Sequence, residues 1–378
     1  MASIEWVGEV LAKQGYGVLT REFLRPIVDH VKLIPKEDYV KPEDKYDVGL
    51  WAEKAITSMS MPEGDIRINF CIPPMFESIQ GKMNIGMCLW ELDTYPKEWL
   101  PSMAKMDGLI FPAKDMAHTA RQCGLKNLIG FFKPYIDITR WKTNVPPTDI
   151  SNATGVKYLI ETDWNPLSNI EEALQAFCIA FEGNSDVTLI VKLNNTGNIE
   201  QKRGIRGAIG GMLGKLLGLS KPKIILLDDD IPEESSVGLI KAADYVISVN
   251  GAVALDMHAL KIATIGKPII GLETRNRDLS LISYKIKGAH HSMIYPAMYH
   301  RFTQFYLKPD IKELAMALFY SYNLIKNDKS KYTVMCENSQ KAAETYLSTD
   351  LLQVCENMYT AWKANRENER NQIPQVAL

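Results

Sequence analysis

Two acidic side chains in the first half of the chain are candidates for proton transfer. The run Asn84–Leu89 has the composition of a buried strand, and Trp90, Glu91 and Asp93 follow directly after it. Carboxylates at the carboxyl end of a strand can bind hydroxyl groups or take a proton from one. Either of them can equally cap the helix that Pro96 predicts. The sequence therefore makes Glu91 a candidate catalytic residue and Trp90, Glu91 and Asp93 candidate hydroxyl-binding residues.

Two segments of small residues are candidates for binding an anion through backbone N–H groups. Gly15, Tyr16 and Gly17 precede an amphipathic stretch, and glycines let the backbone approach a ligand closely. This signal is weak, because the segment is neither a complete GxGxxG motif nor a P-loop; a flexible loop is an equal alternative. The second segment precedes a helix and predicts a diphosphate pocket; its candidate residues are Asn250, Gly251, Ala252, Leu255 and Asp256. Asp256 can instead balance the dipole of that helix.

A lysine inside an apolar strand is the third chemical signal. Lys192 lies in VTLIVKLNN, where an unpaired buried charge would be costly. It needs an anionic partner, and both a ligand phosphate and a structural carboxylate would serve. Asp163, in the strand-to-helix turn DWNP, is a further candidate for the same ligand.

Three other signals have simpler interpretations. Asp228-Asp229-Asp230 resembles a metal-binding DxD, but a strand-to-loop turn explains it better. His290, His291 and His300 have no cysteine and no helical i, i+4 spacing, so we expect no metal site. The segment Gln201–Lys223 carries six basic residues among six glycines. It predicts either a solvated basic helix or a patch for an anionic partner, a nucleic acid or a membrane surface.

The composition narrows the class of protein. The chain has 378 residues, 46% hydrophobic, and a formal net charge of −2, which excludes a wholly disordered chain and a surface that is basic overall. The six cysteines are scattered without a CxxC pair, as in a reduced cytoplasmic protein. No apolar run is long enough for a transmembrane helix, and we expect no secretory signal.

The order of apolar and amphipathic segments predicts an α/β fold with two doubly wound parallel sheets. Predicted strands in the first half are Tyr46–Leu50, Arg67–Cys71, Asn84–Leu89, Gly108–Phe111 and Leu128–Phe132. Those in the second half are Lys157–Glu161, Val187–Leu193, Lys223–Leu227, Tyr245–Val249 and Ile269–Leu272. The segment Val145–Ala153 is rich in Pro, Ser, Asn and Thr and is typical of a linker. We expect a ligand at the carboxyl ends of the strands.

Taken together, these segments resemble GT-B glycosyltransferases, above all the large retaining family four. The resemblance rests on GMCLWELDTYPKEW, MDGLIFPAKDMAHTARQCGL, YLIETDWNPLSNIEEALQAF, VTLIVKL, IKAADYVISVNG, IATIGKPIIG and YLKPDIKELAMALFYSYN, in that order. It implies two Rossmann-like domains facing a central cleft. Residues 1–150 would bind the acceptor and residues 151–345 the nucleotide-diphosphate sugar. Residues 346–378 would form a helix that returns to the first domain, and a polar tail.

The resemblance also implies roles for the candidate residues. Lys192 and the amides of 250–255 would stabilise the departing diphosphate, and Gly15 and Gly17 match the family loop that approaches the donor phosphates. The family's E-x7-E glutamates are absent: one alignment places Gly251 and Ala259 there, the other Val253 and Lys261. Asp256, a candidate catalytic residue, would replace them only in part. The usual basic pair before Asn169 is replaced by Leu167 and Ser168.

The sequence thus predicts a cytoplasmic retaining glycosyltransferase, a hexosyl- or pentosyltransferase that requires no metal. Its donor would be a nucleotide-diphosphate sugar and its acceptor a hydroxyl group of a glycan or small molecule. Enzymes of this fold also glycosylate modified bases in phage DNA, and the basic segment Gln201–Lys223 keeps a DNA acceptor open. A catalytically silent GT-B binding protein is the alternative, because the glutamate pair is missing.

Overall fold

Residues 2–12, 15–36, 49–194, 196–216, 220, 222–229, 231–294 and 303–372 are described by the structure, a computed structural model. Their contacts divide them into two units. The first unit takes the described residues of 1–137 and 346–378, and the second takes those of 138–345. No helix in the described ranges is both long enough and apolar enough to cross a membrane.

The first unit is built on a sheet of six parallel strands. Its strands are β1 (Ile4–Gly8), β2 (Val31–Pro35), β3 (Ile66–Phe70), β4 (Met83–Met87), β5 (Gly108–Phe111) and β6 (Leu128–Phe131). Its helices are α1 (Tyr16–Leu24), α2 (Leu50–Met59), α3 (Leu100–Ala104), α4 (Lys114–Gln122) and α11 (Leu351–Gln372). The strand order is β2-β1-β3-β4-β5-β6, so it reverses between β1 and β3. In sheets of this kind, ligands bind at the carboxyl ends of the strands where the order reverses.

The last helix completes the first unit. The Ala2 backbone N–H donates to the Glu356 carboxylate of α11 over 2.8 Å. Glycines in β5 and β6 leave room for Met358: a Cβ on Gly108 would lie 2.6 Å from Met358 Cε, and one on Gly130 would lie 2.9 Å from Met358 Sδ. The Met358 side chain of α11 therefore occupies the space beside Gly108 and Gly130, where β5 and β6 have no side chain.

The second unit contains another six-stranded parallel sheet. Its strands are β7 (Val156–Asp163), β8 (Val187–Asn194), β9 (Lys223–Leu227), β10 (Tyr245–Ser248), β11 (Ile269–Leu272) and β12 (Tyr284–Ile286), and a separate antiparallel hairpin joins β13 (Gly288–Ile294) to β14 (Thr303–Pro309). Its helices are α5 (Ile170–Ala180), α6 (Ile199–Gly214), α7 (Glu233–Ala242), α8 (Met257–Ile265), α9 (Ile311–Asn327) and α10 (Lys329–Glu344). The order is β12-β11-β10-β7-β8-β9, the Rossmann order, which reverses between β7 and β10.

Local signals and burial explain these elements. The strands β8, β10 and β11 of the second sheet are buried along nearly their whole length, as is typical of parallel strands covered by helices on both faces. Asp310 caps α9 by accepting from the backbone N–H groups of Lys312 and Glu313. Gly266, with φ 82°, ends α8 in the left-handed conformation. The core of this unit holds stacked tyrosines: the Tyr158 and Tyr245 rings lie 5.5 Å apart at 15°. Both hydroxyls bond to Ser321 of α9, which removes the cost of burying them.

The predicted α/β class with two doubly wound units is confirmed, and most of the predicted strands are found within two residues of their ends. The predicted strand Tyr46–Leu50 lies outside the described residues up to position 48, and its last residue begins α2. The sequence analysis predicted no strand at β12, β13 or β14, and it missed β1 and β2 of the first sheet. Their apolar runs, IEWV and VKLI, are short and contain charged residues, so periodicity alone does not identify them.

The segment Val145–Ala153, which the sequence predicts to be a linker, is hydrogen-bonded to the second unit. The Lys241 ammonium of α7 donates to the carbonyl oxygen of Val145 over 2.8 Å, and the Thr148 N–H donates to the Gly238 carbonyl over 2.9 Å. These bonds attach the Pro-rich stretch to the second unit, which begins at Ile138. The domain limits inferred from the sequence, and the roles assigned to the domains, stay predictions.

Candidate functional site

The carboxyl ends of β7 and β10 meet where the strand order of the second sheet reverses. The Thr162 hydroxyl of β7 donates to Asn250 Oδ1, just beyond β10, over 3.0 Å. Because this position is the ordinary ligand crevice of a Rossmann unit, we take it as the candidate site. Asp163 is exposed at the end of β7, and residues 252–255 are half-buried beyond β10. The predicted residues Asp163, Lys192 and Asn250 therefore share one edge of one sheet.

Lys192 is fully buried near the end of β8, with 0% of its surface exposed. Its ammonium donates to the Leu193 carbonyl over 2.7 Å and to Asn194 Oδ1 over 2.8 Å. It pairs in register with Glu161 on β7, and neighbouring residues in register point to the same face. Its positive charge also contributes to lowering the pKa of Glu161. Glu161 is thus a structural carboxylate that can balance the charge of Lys192, and a ligand phosphate stays a prediction.

Glu161 is the centre of a buried polar cluster. The Ser236 hydroxyl lies 2.8 and 2.9 Å from its two carboxylate oxygens, and the Lys261 ammonium donates to that hydroxyl over 2.7 Å. His258 Nδ1 lies 4.0 Å from Glu161 Oε2. Burial alone would raise the pKa of Glu161, but His258, Lys261 and the Ser236 hydrogen bond hold it below its ordinary value of 4.5. Burial lowers the pKa of His258, against the attraction of Glu161.

We expect Glu161→Gln to make the free energy of unfolding depend less on pH in the acidic range. A carboxyl whose folded pKa is depressed stabilises the fold above its unfolded pKa, and that contribution is lost as the pH falls through the folded value. At pH 7 the free energy of unfolding of the variant should be about 1–3 kcal/mol lower than that of the parent. This difference should shrink below about pH 4. Urea unfolding between pH 7 and pH 3 measures it. The exposed Glu182→Gln is the control, and parallel curves for parent and Glu161→Gln would contradict the assignment.

Asp256 is engaged at the start of α8. Its Oδ1 accepts the Ala259 backbone N–H over 2.9 Å, and its Oδ2 accepts from Arg277 Nε over 2.7 Å. The Arg277 guanidinium, 0% exposed, also donates to the Ser248 and Leu272 carbonyls over 2.8 Å each and to Ser248 Oγ over 3.0 Å. Asp256 thus caps α8 and pairs with Arg277, and both contacts hold the segment 250–256 in place. A direct role of Asp256 at a ligand stays a prediction.

The Gly251 amide is also engaged. Its N–H donates to the Leu167 carbonyl over 2.7 Å, and its own carbonyl accepts from Leu307 N over 2.9 Å. Asn169 supports the same segment, because its Nδ2 donates to the Val249 and Leu307 carbonyls over 2.8 Å each. The Gly251 N–H is therefore not available to a diphosphate in this arrangement, although its neighbours remain candidates.

Gly251→Ala should destabilise the second unit. An added Cβ would lie 2.2 Å from the Leu307 carbonyl oxygen, and that oxygen belongs to the backbone of β14 and cannot turn aside. We expect a loss of about 1–3 kcal/mol, as for other overpacking substitutions, measured by chemical denaturation. Gly210→Ala is the matched control, because nothing lies within 4 Å of its Cβ and α6 should gain roughly 0.5–1 kcal/mol. Equal effects from the two substitutions would refute the packing explanation.

In the first unit, the glycine segment follows the end of β1. Gly15 is exposed with φ 58°, and a Cβ on Gly17 would lie 2.4 Å from the Ala12 carbonyl oxygen. Tyr16 begins α1, and its hydroxyl accepts the Leu89 backbone N–H over 3.1 Å. Burial raises the pKa of this phenol, so it stays neutral. Lys13 and Gln14 lie outside the described residues.

The segment after β4 is held by aromatic contacts. Trp90 is 4% exposed; its indole N–H donates to the Thr94 carbonyl over 2.7 Å, and its ring lies 4.9 Å from that of Trp99. Glu91 and Asp93 are half-buried on the same segment. Trp90 thus supports the segment that carries the two acids, and hydroxyl binding by the acids stays a prediction.

The Asp228–Asp229 pair contacts cations of α6. Arg206 donates to both oxygens of Asp228 over 2.7 and 2.8 Å, and Lys202 donates to Asp229 over 2.8 Å. The hydrogen bonds from Arg206 lower the pKa of Asp228. Asp230, Lys221 and His300 lie outside the described residues, and His290 and His291 are exposed on β13. Over the described ranges, no three His, Cys, Asp or Glu side chains are grouped to hold a metal ion.

The sequence analysis missed the partners that hold the site. Glu161 lies in an apolar strand and is the direct register partner of Lys192 on the next strand. The available signal was an acidic residue in one apolar strand and a basic residue in the following one. Ser236 and Lys261 come from two different helices, and Arg277 comes from the loop after β11. Nothing in their local sequence predicts that they converge, because only the tertiary fold brings them together.

Comparison with known proteins supports the fold. No protein-family model matches this sequence, and no curated protein is significantly similar to it. An α,α-trehalose-phosphate synthase (UDP-forming) from Burkholderia xenovorans, in complex with glucose-6-phosphate, has a TM-score of 0.60 at 9% identity, over 97% of this chain and 99% of that chain. The Anabaena protein HepE in complex with UDP has a TM-score of 0.58 at 11% identity, over 96% and 100%. The N-terminal domain of the Candida albicans trehalose-6-phosphate phosphatase has a TM-score of 0.57 at 10% identity, over 91% and 93%. At these identities the likeness shows the fold alone, that of the GT-B glycosyltransferases.

Proposed function

We propose that this protein is a retaining glycosyltransferase that binds a nucleotide-diphosphate sugar at the carboxyl edge of the second sheet. The observation that carries the proposal is that polar side chains converge at the carboxyl edge of the second sheet, where the strand order reverses between β7 and β10. The solved structures with this fold include complexes with UDP. The retaining mode and the likeness to family four rest on the sequence motifs.

Residues of the second unit are proposed to stabilise the negative charge that develops on the departing nucleoside diphosphate. Loss of the nucleoside diphosphate leaves negative charge on its phosphate oxygens, and a preorganised cation nearby lowers that barrier. Lys192 is the proposed catalytic cation, and Asp163, Asn250, Ala252 and Leu255 are the proposed donor contacts. The Asp256–Arg277 pair positions the segment 250–256. In this scheme the lysine, rather than a metal ion, balances the charge.

The first unit supplies the acceptor side of the proposal. Trp90, Glu91 and Asp93 would orient the acceptor hydroxyl group, and Gly15, Tyr16 and Gly17 would approach the donor phosphates. In a front-face reaction the departing phosphate itself takes the proton from the acceptor hydroxyl, so the protein mainly positions the two substrates. The transferred group would be a hexosyl or a pentosyl residue.

A donor panel tests the proposal. Binding of UDP, GDP and ADP should be measured by calorimetry, and hydrolysis of the corresponding sugar nucleotides by release of the nucleoside diphosphate. We expect saturable binding of one nucleotide and slow hydrolysis of its sugar conjugate. No binding and no turnover with any of them would overturn the enzyme assignment.

A catalytically silent binding protein is the second candidate. The observation that favours it is the internal use of groups that a donor would need: the Gly251 N–H and the Lys192 ammonium already have protein partners. This candidate expects nucleotide binding with no release of sugar and no transfer to any acceptor. The same panel therefore separates it from the enzyme.

For the acceptor we propose a glycan or small molecule rather than DNA. Lys202, Arg206 and Lys215 of the basic segment pair with Asp229, Asp228 and Glu171, so much of its charge is already balanced. DNA binding through phosphates would weaken steeply with added salt. A duplex-binding assay between low and physiological salt should show no such binding, and salt-sensitive binding would restore the DNA alternative.

A further inference from the structure

A hydrogen bond joins two candidate segments of the first unit. The glycine segment, residues 15–17, leads into α1, and the acidic segment, residues 88–93, follows β4 and carries the two acids. The Tyr16 hydroxyl accepts the Leu89 backbone N–H over 3.1 Å, although the two residues are 73 positions apart in the chain. The strands that precede these segments, β1 and β4, both pair with β3. The bond therefore connects the segment proposed to approach the donor phosphates with the segment proposed to orient the acceptor.

The Tyr16 side chain is held in place between these segments. Its ring lies 4.7 Å from that of Phe70 on β3, at an interplanar angle of 63°. Burial raises the pKa of its phenol, which therefore stays neutral. Tyrosine has only two side-chain torsions, and packing against a buried ring leaves few rotamers for them. A shift of the Tyr16 backbone should therefore move the hydroxyl and the Leu89 N–H with it, because the side chain has little freedom to rotate instead.

The backbone on one side of Tyr16 is open to a ligand. Gly15 is exposed with φ 58°, and a Cβ there would meet no described atom within 4 Å. On the other side, a Cβ on Gly17 would lie 2.4 Å from the Ala12 carbonyl oxygen, so that position is closely packed. A ligand that contacts the open side would therefore act on the Tyr16 backbone, while the Tyr16 side chain contacts the acidic segment.

One hydrogen bond is sufficient for a measurable effect on the acidic segment. The net contribution of such a bond is equivalent to roughly two- to tenfold in an equilibrium constant. The Tyr16–Leu89 bond should disfavour local opening of the acidic segment by that factor. Because local opening governs the exchange of backbone amide protons, the factor can be measured.

We propose that Tyr16 is a positioning residue that couples the two segments: a nucleotide that contacts the glycine segment fixes the Tyr16 hydroxyl and thereby orders Glu91 and Asp93. The inference rests on the proposed function, from which it takes the nucleotide contact at residues 15–17. Tyr16 acts through the backbone of the acidic segment and needs no contact with the acceptor.

Hydrogen–deuterium exchange of the full chain tests this coupling. The probes are UDP, GDP and ADP, and calorimetry identifies which of them binds. We expect that nucleotide to slow exchange of the backbone amides of residues 15–20 and of residues 89–93, the latter about two- to tenfold. In Tyr16→Phe, measured at a nucleotide concentration that saturates the variant, the slowing at 15–20 should remain and the slowing at 89–93 should be lost. A purely structural role would instead speed exchange with and without nucleotide and keep the difference between the two states.

Tyr95→Phe is the matched control for this experiment. Tyr95 is 1% exposed, and its hydroxyl donates to the Met116 carbonyl over 3.3 Å. The substitution thus removes another buried phenol hydroxyl from the first unit, one whose bond leads to α4. In this variant the nucleotide should slow exchange at 89–93 as it does in the parent.

Three results would overturn the coupling. Nucleotide binding that does not slow exchange at 89–93 in the parent refutes it and leaves the proposed function standing, and this result does not depend on the folding of any variant. Slowing at 89–93 that persists in Tyr16→Phe would show that another contact couples the segments. No binding of any of the three nucleotides would overturn the proposed function, and the coupling with it.

Discussion

Arg277→Met is expected to destabilise the second unit by about 3–5 kcal/mol, the usual cost of removing one partner from a buried ion pair. The guanidinium is completely buried and donates to Asp256, to two backbone carbonyls and to the Ser248 hydroxyl. Without it, the Asp256 carboxylate keeps only the Ala259 N–H from among these bonds, and the two carbonyl oxygens lose a donor. Urea unfolding of the full chain, followed by tyrosine and tryptophan fluorescence, measures the loss.

Two further variants make this expectation specific. Asp256→Asn in the Arg277→Met background should recover part of the stability, because it removes the unpaired buried charge. Lys331→Met breaks an ion pair with Asp328 that lies at the surface, and it should not change the unfolding midpoint measurably. If Arg277→Met proved as harmless as Lys331→Met, the buried network would not hold the segment 250–256.

Lys192→Met should lower turnover of the sugar nucleotide by about 10²-fold or more if Lys192 stabilises the departing diphosphate. Methionine keeps most of the volume of the buried chain, so a fall in rate without unfolding reports the lost charge. The measurement is the rate of nucleoside diphosphate release at saturating donor, together with the nucleotide Kd. Since the charge matters most in the transition state, we expect kcat to fall more than donor affinity.

Lys267→Met is the matched control for this experiment. Lys267 is a half-buried lysine just ahead of β11, at the amino edge of the same sheet, and burial lowers its pKa. The same substitution there should leave turnover unchanged. A normal rate in Lys192→Met would remove Lys192 from the mechanism and leave it as a structural partner of Glu161, Leu193 and Asn194.

The fold class could be predicted from the sequence because most strands of both sheets appear in it as apolar runs separated by amphipathic helical segments. VTLIVKL and YVIS could be recognised directly, and each is buried along its whole length. Capping residues such as Asp310 and Gly266 determine where helices begin and end, and such residues can be recognised in the local sequence. The short strands β1 and β2 lack that signal, since charged residues interrupt their apolar runs.

The site was harder to predict than the fold. Backbone donors are invisible in a sequence, so the Asn250–Leu255 stretch suggested free amides, while the structure shows the Gly251 N–H bound to Leu167. Likewise, Lys192 predicted an anionic partner without naming it. Glu161, Ser236 and Lys261 lie within 100 residues of one another in the chain but on separate elements, and their convergence depends on how those elements pack.

The attachment of α11 to the first unit has a consequence for how the chain folds during synthesis. The ribosome releases the chain from its amino end, so every strand of the first sheet emerges long before Met358 does. Until then, the glycine positions 108 and 130 on β5 and β6 face no side chain from α11. The described residues of the second unit, by contrast, all lie between 138 and 345, so every one of them has emerged before α11 does and this unit can fold without waiting for it. The unit that begins the chain is therefore the last to be completed.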